Sequence, residues 1–232
     1  MPVFQLDESI SFPPPQLARE DGLLAVGGDL KPERLLLAYH LGIFPWYSPG
    51  EPILWWAPTP RMVLFPDDFH ISRSLARTIR RGTFKVTFDT AFAEVIKNCA
   101  KVRLTRGQDT WLGDDMIEAY CRLHELGYAH SVECWQDNEL QGGLYGVSLG
   151  SVFFGESMFS LAPNSSKVAF ATLVKQLTRW EFDLIDCQIH NPHLESLGAG
   201  EIPGDEFWER LALAVDKPTL IGNWSAFKNR PI

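Results

Sequence analysis

The sequence contains few cysteines, and those present do not form a metal-binding or disulfide motif. Cys99, Cys121, Cys134 and Cys187 are the 4 cysteines among 232 residues, and no two of them have the C-x-x-C spacing. Metal-binding and redox-active cysteines commonly occur as such pairs. The pattern therefore indicates reduced, mostly buried thiols in a cytoplasmic protein and gives no sign of a metal site.

An excess of positive charge and a long hydrophobic run are also missing. The formal net charge is -8, which argues against a general nucleic-acid binder but leaves room for a local basic patch. The start of the chain, MPVFQLDESISFPPP, lacks the basic residues and long apolar run of a secretory signal. Because no apolar stretch is long enough to span a bilayer, no membrane association is predicted.

Proline and tryptophan, by contrast, are abundant, with 16 and 8 residues in the chain. Many of the prolines fall near the N-terminus, where they interrupt any long helix or central strand. Residues 1–59 are therefore predicted to form a small N-terminal domain with little regular structure. Residues 60–232 then form a larger domain.

The hydrophobic pattern from residue 83 onward predicts the element order β-α-α-β-β-β-α-β-α. Its centre is a hairpin of Leu140–Ser148 and Ser151–Phe154, joined by a turn at 149–150, with glycines where another group approaches the backbone closely. A long helix to about Trp180 and a strand over 182–189 follow. This order predicts an α/β fold with a mixed sheet and helices on both faces. It resembles the acyltransferase fold of the N-acetyltransferase (GNAT) type.

That fold binds coenzyme A with a glycine-rich turn between a strand and the following helix. The corresponding segment here, residues 157–167, contains no glycine, so it lacks the usual cradle for a pyrophosphate. A coenzyme A-dependent N-acetyltransferase is one alternative for this chain. The missing cradle favours a transferase that uses another activated acyl donor.

Exposed aromatic residues are predicted on the proline-rich loops of the N-terminal domain. Trp46 lies in the sequence Pro-Trp-Tyr-Ser-Pro, and Trp55 and Trp56 follow shortly after it. Such residues can form a small aromatic core, which is the interpretation we favour for Trp55 or Trp56. A stiff loop can also present a ring on which a nucleotide base stacks. Trp46 is the candidate for that role.

A basic segment follows the N-terminal domain. A helix is predicted over 70–81, and it places four arginines on one face at positions i, i+4, i+7 and i+8. Only Asp67 and Asp68 oppose the positive charges between residues 61 and 85. A solvated face is the ordinary explanation, but like charges at this spacing repel unless a polyanion binds them. We therefore predict phosphate binding by the residues of this segment from Arg73 onward, namely Arg73, Arg77, Arg80, Arg81 and Lys85.

Polar residues occur where apolar strands are expected to end. Glu156 follows Val152-Phe153-Phe154, and Asp186, Gln188 and His190 alternate along the last sheet strand. Strand alternation places these three on one side and Cys187 on the other. Glu156, Asp186 and Gln188 are thus predicted to line one cleft. In the alternatives, Asp186 caps the next helix, or Cys187 acts as a nucleophile with His190 or His193 as base.

The ordered motifs together resemble the leucyl/phenylalanyl-tRNA–protein transferase family. The resemblance runs from Gly22 to about Ile202. It rests on the order in which the motifs follow one another rather than on any one motif. The motifs are GLLAVGGDL, GIFPWYSPG, PILWWAPTPR, HISRS, TWL, HELGYAHSVE, GGLYGV, FFGESMFS, NSSKVA and IDCQIHN followed by SLGA.

The resemblance implies a cytoplasmic bacterial enzyme without metal or cofactor, expected here to be a monomer. It would move Leu or Phe, and Met less well, from aminoacyl-tRNA to the α-amine of proteins that begin with Arg or Lys. The product would enter N-end rule degradation. A non-catalytic tRNA-binding protein is the second alternative, but it would not need Asp186 and Gln188 beside an apolar pocket.

The resemblance also implies roles for individual residues. Trp46 and Trp111 would meet the 3′-terminal adenosine, and the segment from Arg73 to Lys85 would hold acceptor-stem phosphates. Leu144, Phe170 and Leu173 stand where Met, Leu and Phe are familiar in the family, so the expected Leu-to-Phe preference is open. The wall of the donor side-chain pocket would comprise Leu144, Phe153, Phe170, Leu173 and Ile185.

Three accounts of the chemistry follow from the resemblance. In the first, Asp186 accepts from the side-chain amide of Gln188 and polarises it, and the carbonyl oxygen of Gln188 contacts the attacking amine. Glu156 would then help to hold the donor or the cationic acceptor. In the others, Asp186 takes the proton itself, or the terminal ribose 2′-hydroxyl relays it.

Overall fold

The computed structural model describes residues 3–105 and 110–227. The N-terminal part, predicted to have little regular structure, contains a four-stranded sheet in the order β1-β2-β4-β3 and one helix. Sequence reasoning missed this sheet because its strands are only two to five residues long. Its elements are β1 (Phe4–Leu6), β2 (Leu23–Gly27), α1 (Pro32–His40), β3 (Phe44–Pro45) and β4 (Leu54–Trp56).

The rest of the described chain forms a seven-stranded sheet in the order β11-β5-β10-β9-β8-β7-β6. Its strands are β5 (Arg61–Leu64), β6 (Lys85–Phe88), β7 (Ala129–Gln136), β8 (Glu139–Leu149), β9 (Val152–Ser160), β10 (Leu184–Gln188) and β11 (Gly200–Ile202). Its helices are α2 (Arg73–Arg81), α3 (Phe92–Thr105), α4 (Asp114–Glu125), α5 (Ser165–Arg179), α6 (Pro192–Glu195) and α7 (Gly204–Val215).

The predicted mixed α/β fold class is confirmed. Strands β9 and β10 are parallel and are joined by the crossover helix α5, whereas the remaining neighbours in the large sheet are antiparallel. The β7-β8-β9-α5-β10 order is the one that suggested an acetyltransferase-type fold. Two short strands, β5 and β11, were not predicted.

The helices cover both faces of the large sheet. One hydrophobic core lies between the sheet and α1, α3, α4 and α7, and it also includes Leu24 and Trp55 from the small sheet. The second lies under α5 and includes Trp224 from the C-terminal segment. The change of sheet falls between Trp56 and Arg61, close to the predicted boundary at 59/60. Since the first core is shared, the division into two domains stays a prediction.

Two glycines in β8 permit close approaches that a side chain would block, as the sequence indicated. A Cβ at Gly142 would lie 2.2 Å from Oγ of Ser165, the first residue of α5. A Cβ at Gly146 would lie 2.6 Å from the ring of Phe153. These glycines let α5 and Phe153 pack directly on the hairpin.

Several predicted boundaries shift in the structure. Helix α2 begins at Arg73 rather than at 70, because the hydroxyl of Ser72 accepts from the backbone N–H of Leu75 at 3.2 Å and caps it. Strand β9 continues to Ser160 rather than ending near Phe154. Helix α3 continues to Thr105, and residues 106–109 lie outside the described residues.

The C-terminal segment is anchored on the large sheet by Asp89. Its carboxylate accepts from the backbone N–H of Trp224 at 2.7 Å and contacts His130 Nδ1 at 2.8 Å. The indole of Trp224 stacks on the ring of His130 and also meets Phe153, with ring centroids 3.7 and 6.0 Å apart. None of the helices in the described part of the chain is long and apolar enough to cross a membrane.

Candidate active site

A cavity of about 300 Å³ opens where β9 and β10 separate. Pairing between these parallel strands stops at Asp186 and Phe154, and residues of β3 and the following loop approach from the N-terminal sheet. The lining residues come from both sheets and from α3, α5 and α6. They include Phe44, Trp46, Arg103, Trp111, Leu144, Tyr145, Phe153, Glu156, Phe170, Ile185, Cys187, Gln188 and His193.

Each of the two separating strands carries a β-bulge just beyond the last paired residue. In β9 the extra residue is Glu156, since Tyr145 pairs with Ser157 and Gly146 with Gly155. In β10 it is Cys187, and Gln188 adopts a positive φ of 67°. Bulges re-aim side chains and often occur beside active sites. Here they bring Glu156 and Gln188 into contact in the cavity.

The carboxyl group of Glu156 accepts hydrogen bonds on both oxygens. Tyr39 and Gln188 donate to Oε1 at 2.7 Å each, and Tyr120 donates to Oε2 at 2.9 Å. The two tyrosine hydroxyls also contact each other. Burial raises the pKa of Glu156 to about 7, although these three hydrogen bonds act in the opposite direction. Glu156 is therefore partly protonated at neutral pH.

Asp186 forms a buried ion pair with Arg61. Arg61 donates from Nε to Oδ1 at 2.8 Å and from Nη2 to Oδ2 at 2.6 Å. Its guanidinium lies over the rings of Phe44 and Phe207, 5.0 and 4.7 Å from their centroids. Both charged side chains are almost fully buried. Arg61 is thus a structural partner of Asp186 and is not part of the exposed basic group.

The prediction that the Asp186 carboxylate contacts the side-chain amide of Gln188 is wrong. Asp186 Oδ1 accepts from the backbone N–H of Gln188 at 2.9 Å, whereas the side-chain amide donates to Glu156. The side chains of β10 do not alternate strictly between the two faces of the sheet, because Cys187 is the extra residue of a bulge between Asp186 and Gln188. Asp186 does not cap α6 either, since Asn191 accepts from the backbone N–H of His193. Asp186 therefore fixes the backbone of Gln188.

Four of the five predicted donor-pocket residues line the cavity. Leu144, Phe153, Phe170 and Ile185 belong to its wall. Leu173 is fully buried in the core under α5 and is not among the lining residues, so the structure does not bring it to the cavity surface.

Both predicted nucleotide-binding tryptophans also line the cavity. Trp46 is 41% exposed, and Trp56 supports its loop by donating from Nε1 to the carbonyl oxygen of Trp46 at 2.6 Å. Trp55, in contrast, is fully buried, which agrees with an aromatic core residue. Trp111 is half-buried at the start of the segment that leads into α4.

The predicted phosphate-binding residues all lie on the surface. Arg73, Arg77, Arg80 and Arg81 are exposed on α2, and none of them forms a salt bridge within the described part of the chain. Lys85 is exposed as well, but it lies on β6 and not on the helix. Helix α2 packs against α5, the helix that also supplies Phe170 to the cavity.

The cysteine alternative gains no support from the structure. Cys187 lies beside the cavity, but burial raises the pKa of its thiol well above the usual range. A thiol held in its protonated form is a weak nucleophile. Within residues 3–105 and 110–227, no group of three His, Cys, Asp or Glu side chains has an arrangement suited to a metal ion.

Sequence reasoning missed Arg61, Tyr39, Tyr120 and Arg103 as site residues. Arg61 begins the apolar run Met62-Val63-Leu64, and a buried arginine in such a strand requires a partner, but the sequence does not say which residue that partner is. The tyrosines fall on the apolar stripes of their helices and give no separate signal. Only the tertiary contacts reveal that their hydroxyls meet at Glu156.

Family models match most of the chain. Residues 63–212 match the leucyl/phenylalanyl-tRNA protein transferase family, and residues 28–59 match the N-terminal domain of the same family. Relatives named leucyl/phenylalanyl-tRNA–protein transferase include one from Desulfatibacillum aliphaticivorans, 60% identical over 97% of both chains. One from an Anaeromyxobacter species is 58% identical, covering 97% of this chain and 95% of the relative.

Similarity to solved structures is weaker. L-PGS from Bacillus licheniformis gives a TM-score of 0.41 at 12% identity, covering 72% of this chain and 54% of that one. An aminoglycoside acetyltransferase from an uncultured soil metagenomic sample gives 0.39 at 11% identity, covering 61% and 95%. The assignment therefore rests on the sequence comparisons. On their strength, the chain is an aminoacyltransferase and belongs to the leucyl/phenylalanyl-tRNA protein transferase family.

Proposed function

We propose that this protein transfers Leu or Phe, and Met less well, from aminoacyl-tRNA to the N-terminal α-amine of proteins that begin with Arg or Lys. The reaction forms a peptide bond and marks the acceptor for N-end rule degradation in the cytoplasm. The observation that carries the proposal is the contact between Gln188 and Glu156 in a cavity that also contains an apolar wall and two tryptophans.

The donor would occupy the cavity with its aminoacyl group innermost. Leu144, Phe153, Phe170 and Ile185 offer apolar side chains without hydrogen-bonding groups, which suits a pocket that selects by size and polarity. Trp46 and Trp111 would contact the terminal adenosine by stacking. The exposed arginines of α2, with Lys85, would bind the phosphates of the acceptor stem. A cavity of about 300 Å³ is at the small end of the range for ligand sites.

Neither substrate requires much activation by the enzyme. The aminoacyl ester is already reactive, and an α-amine has a pKa near 8, so a useful fraction is neutral at pH 7. Positioning of amine and ester can lower the barrier by about 7–11 kcal/mol. Because the NH₂ group of Gln188 donates to Glu156, its carbonyl oxygen is left to accept from the attacking amine.

Asp186 would act as a positioning residue. Its carboxylate accepts hydrogen bonds from Arg61 and from the backbone N–H of Gln188. The account in which Asp186 takes the proton directly therefore has no support. Glu156 is the carboxyl group nearest to the Gln188 amide, and its pKa of about 7 suits proton exchange at neutral pH. It is also an acidic group in the cavity that would attract a cationic acceptor.

A transfer assay with purified protein tests the function. Labelled Leu, Phe and Met should move from their tRNAs to peptides that begin with Arg or Lys, and not to matched peptides that begin with Glu. Asp and Lys should not be transferred from their tRNAs, because a charged side chain is costly to bury in the apolar pocket. Acetylation of the same peptides by acetyl-CoA, or no transfer from leucyl-tRNA, would overturn the proposal.

A further inference from the structure

Arg103 is a cavity residue to which the sequence assigned no role. It lies in the last turn of α3, where a basic residue ordinarily interacts with the helix C-terminus and points to solvent. Here its side chain is half-buried and lines the cavity together with Trp111 and Tyr145. Its charge also acts on the buried groups Cys99 and Tyr145, which places the guanidinium near the cavity wall.

No acidic side chain in the described ranges forms a salt bridge with Arg103, unlike the paired Arg61 and Arg122. A partly desolvated guanidinium without a counter-ion is unfavourable, and its planar donors match a phosphate group. The other ionisable lining side chains do not compete for this role. Glu156 is acidic, and burial lowers the pKa of His193, so it is mostly neutral at pH 7.

We propose that Arg103 binds the 5′-phosphate of the terminal nucleotide of the donor. This inference rests on the proposed function. In a nucleotide the base and the 5′-phosphate are attached to the same ribose. A base stacked on Trp111 therefore holds its phosphate within reach of a long side chain on the same wall. The subsite is separate from the surface arginines of α2, which would contact the stem.

Donors that lack the rest of the tRNA isolate the contact between Arg103 and the 5′-phosphate. Wild-type protein is assayed with an Arg-starting peptide and either 3′-O-phenylalanyl-adenosine or its 5′-monophosphate, with kcat/KM measured for each. A charge-assisted contact predicts that the monophosphate is preferred by about 10- to 100-fold. In Arg103→Ala the two donors should react with similar kcat/KM. Arg103→Lys keeps the charge without the planar fork and should show an intermediate preference.

Lys101→Ala is the matched control, because it removes an exposed positive charge two residues earlier on the same helix. It should retain the wild-type preference. If Arg103→Ala folds poorly, as judged by its thermal transition, Arg103→Gln replaces it. A wild-type protein without a phosphate preference, or an Arg103 variant that retains the full preference, overturns the inference. Failure of wild-type protein to use even phenylalanyl-tRNA would instead overturn the proposed function.

Discussion

Arg61 holds both carboxylate oxygens of Asp186 in a buried, bidentate ion pair. The two residues lie on neighbouring antiparallel strands, and the guanidinium is enclosed between Phe44 from the small sheet and Phe207 from α7. The pair therefore connects the large sheet to Phe44 of the small sheet, which lines the cavity. It makes Asp186 a fixed support for the Gln188 backbone.

Breaking this pair should destabilise the fold strongly. Arg61→Met leaves Asp186 buried and unpaired, so we expect the free energy of unfolding in urea to fall by about 3–5 kcal/mol. The double variant Arg61→Met/Asp186→Leu should recover much of that loss, because no unpaired charge remains. Arg122→Ala, which breaks an exposed pair with Glu125, is the control and should cost less than about 1 kcal/mol. A loss of that small size in Arg61→Met would show that the pair is dispensable.

Glu156 should make stability depend on pH. Its folded pKa of about 7 lies above the ordinary value of 4.5, so the folded state binds its proton more tightly than the unfolded state does. The associated stability, about 3 kcal/mol, is present below pH 4.5 and is lost as the pH rises through 7. Urea unfolding of wild-type and Glu156→Gln proteins between pH 4 and 8 measures it. Identical pH slopes in the two proteins would contradict the assigned environment.

The Glu156–Gln188 contact should be visible in kinetics. We expect Gln188→Ala and Glu156→Ala each to lower single-turnover transfer by about 100-fold or more. The double variant should be little worse than the poorer single one, since both changes remove the same orientation of the amide. Strictly multiplicative losses would show that the two groups act separately. Gln136→Ala, at the far end of β7, should transfer normally.

Substitutions of Asp186 and of Gln188 should both lower the transfer rate but should differ in their effect on the free energy of unfolding. Asp186→Ala removes the partner of a buried arginine, so it should lower both the transfer rate and the unfolding free energy. Gln188→Ala should lower the transfer rate with little change in unfolding, because its side chain makes one described contact, to Glu156. Single-turnover assays beside urea titrations give both quantities. Equal losses of stability in the two variants would assign Gln188 a structural role as well.

The surface arginines of α2 should determine the salt dependence of tRNA binding. Arg77→Glu/Arg81→Glu should weaken binding of charged tRNA and lower the slope of log K against log salt concentration by about one per lost contact. Arg122→Glu on α4 is the matched control for charge reversal at an exposed arginine. An unchanged slope in the α2 variant would remove this helix from the tRNA site. Transfer from small adenosine donors should not respond to these changes.

The sequence by itself determined the family, the mixed α/β order of elements and several residues of the cavity wall. Periodicity and glycine placement suffice for the order of elements, because it depends on local patterns that repeat along each strand and helix, whereas the residues of the apolar wall were implied by the family resemblance. Trp46 and Trp111, together with Glu156 and Gln188, were named from the sequence, and all four line one cavity. The family resemblance, carried by the order of many motifs, implied the chemistry proposed here.

Only the tertiary structure decided how the polar groups pair. Two bulges, at Glu156 and at Cys187, interrupt the alternation on which the sequence argument relied, and bulges leave no clear mark in a single sequence. Arg61 lies 125 residues from Asp186 along the chain, so the pairing of these two charges depends on which strands become neighbours. The local pattern fixes which residues are buried or polar, whereas long-range packing fixes which charges meet.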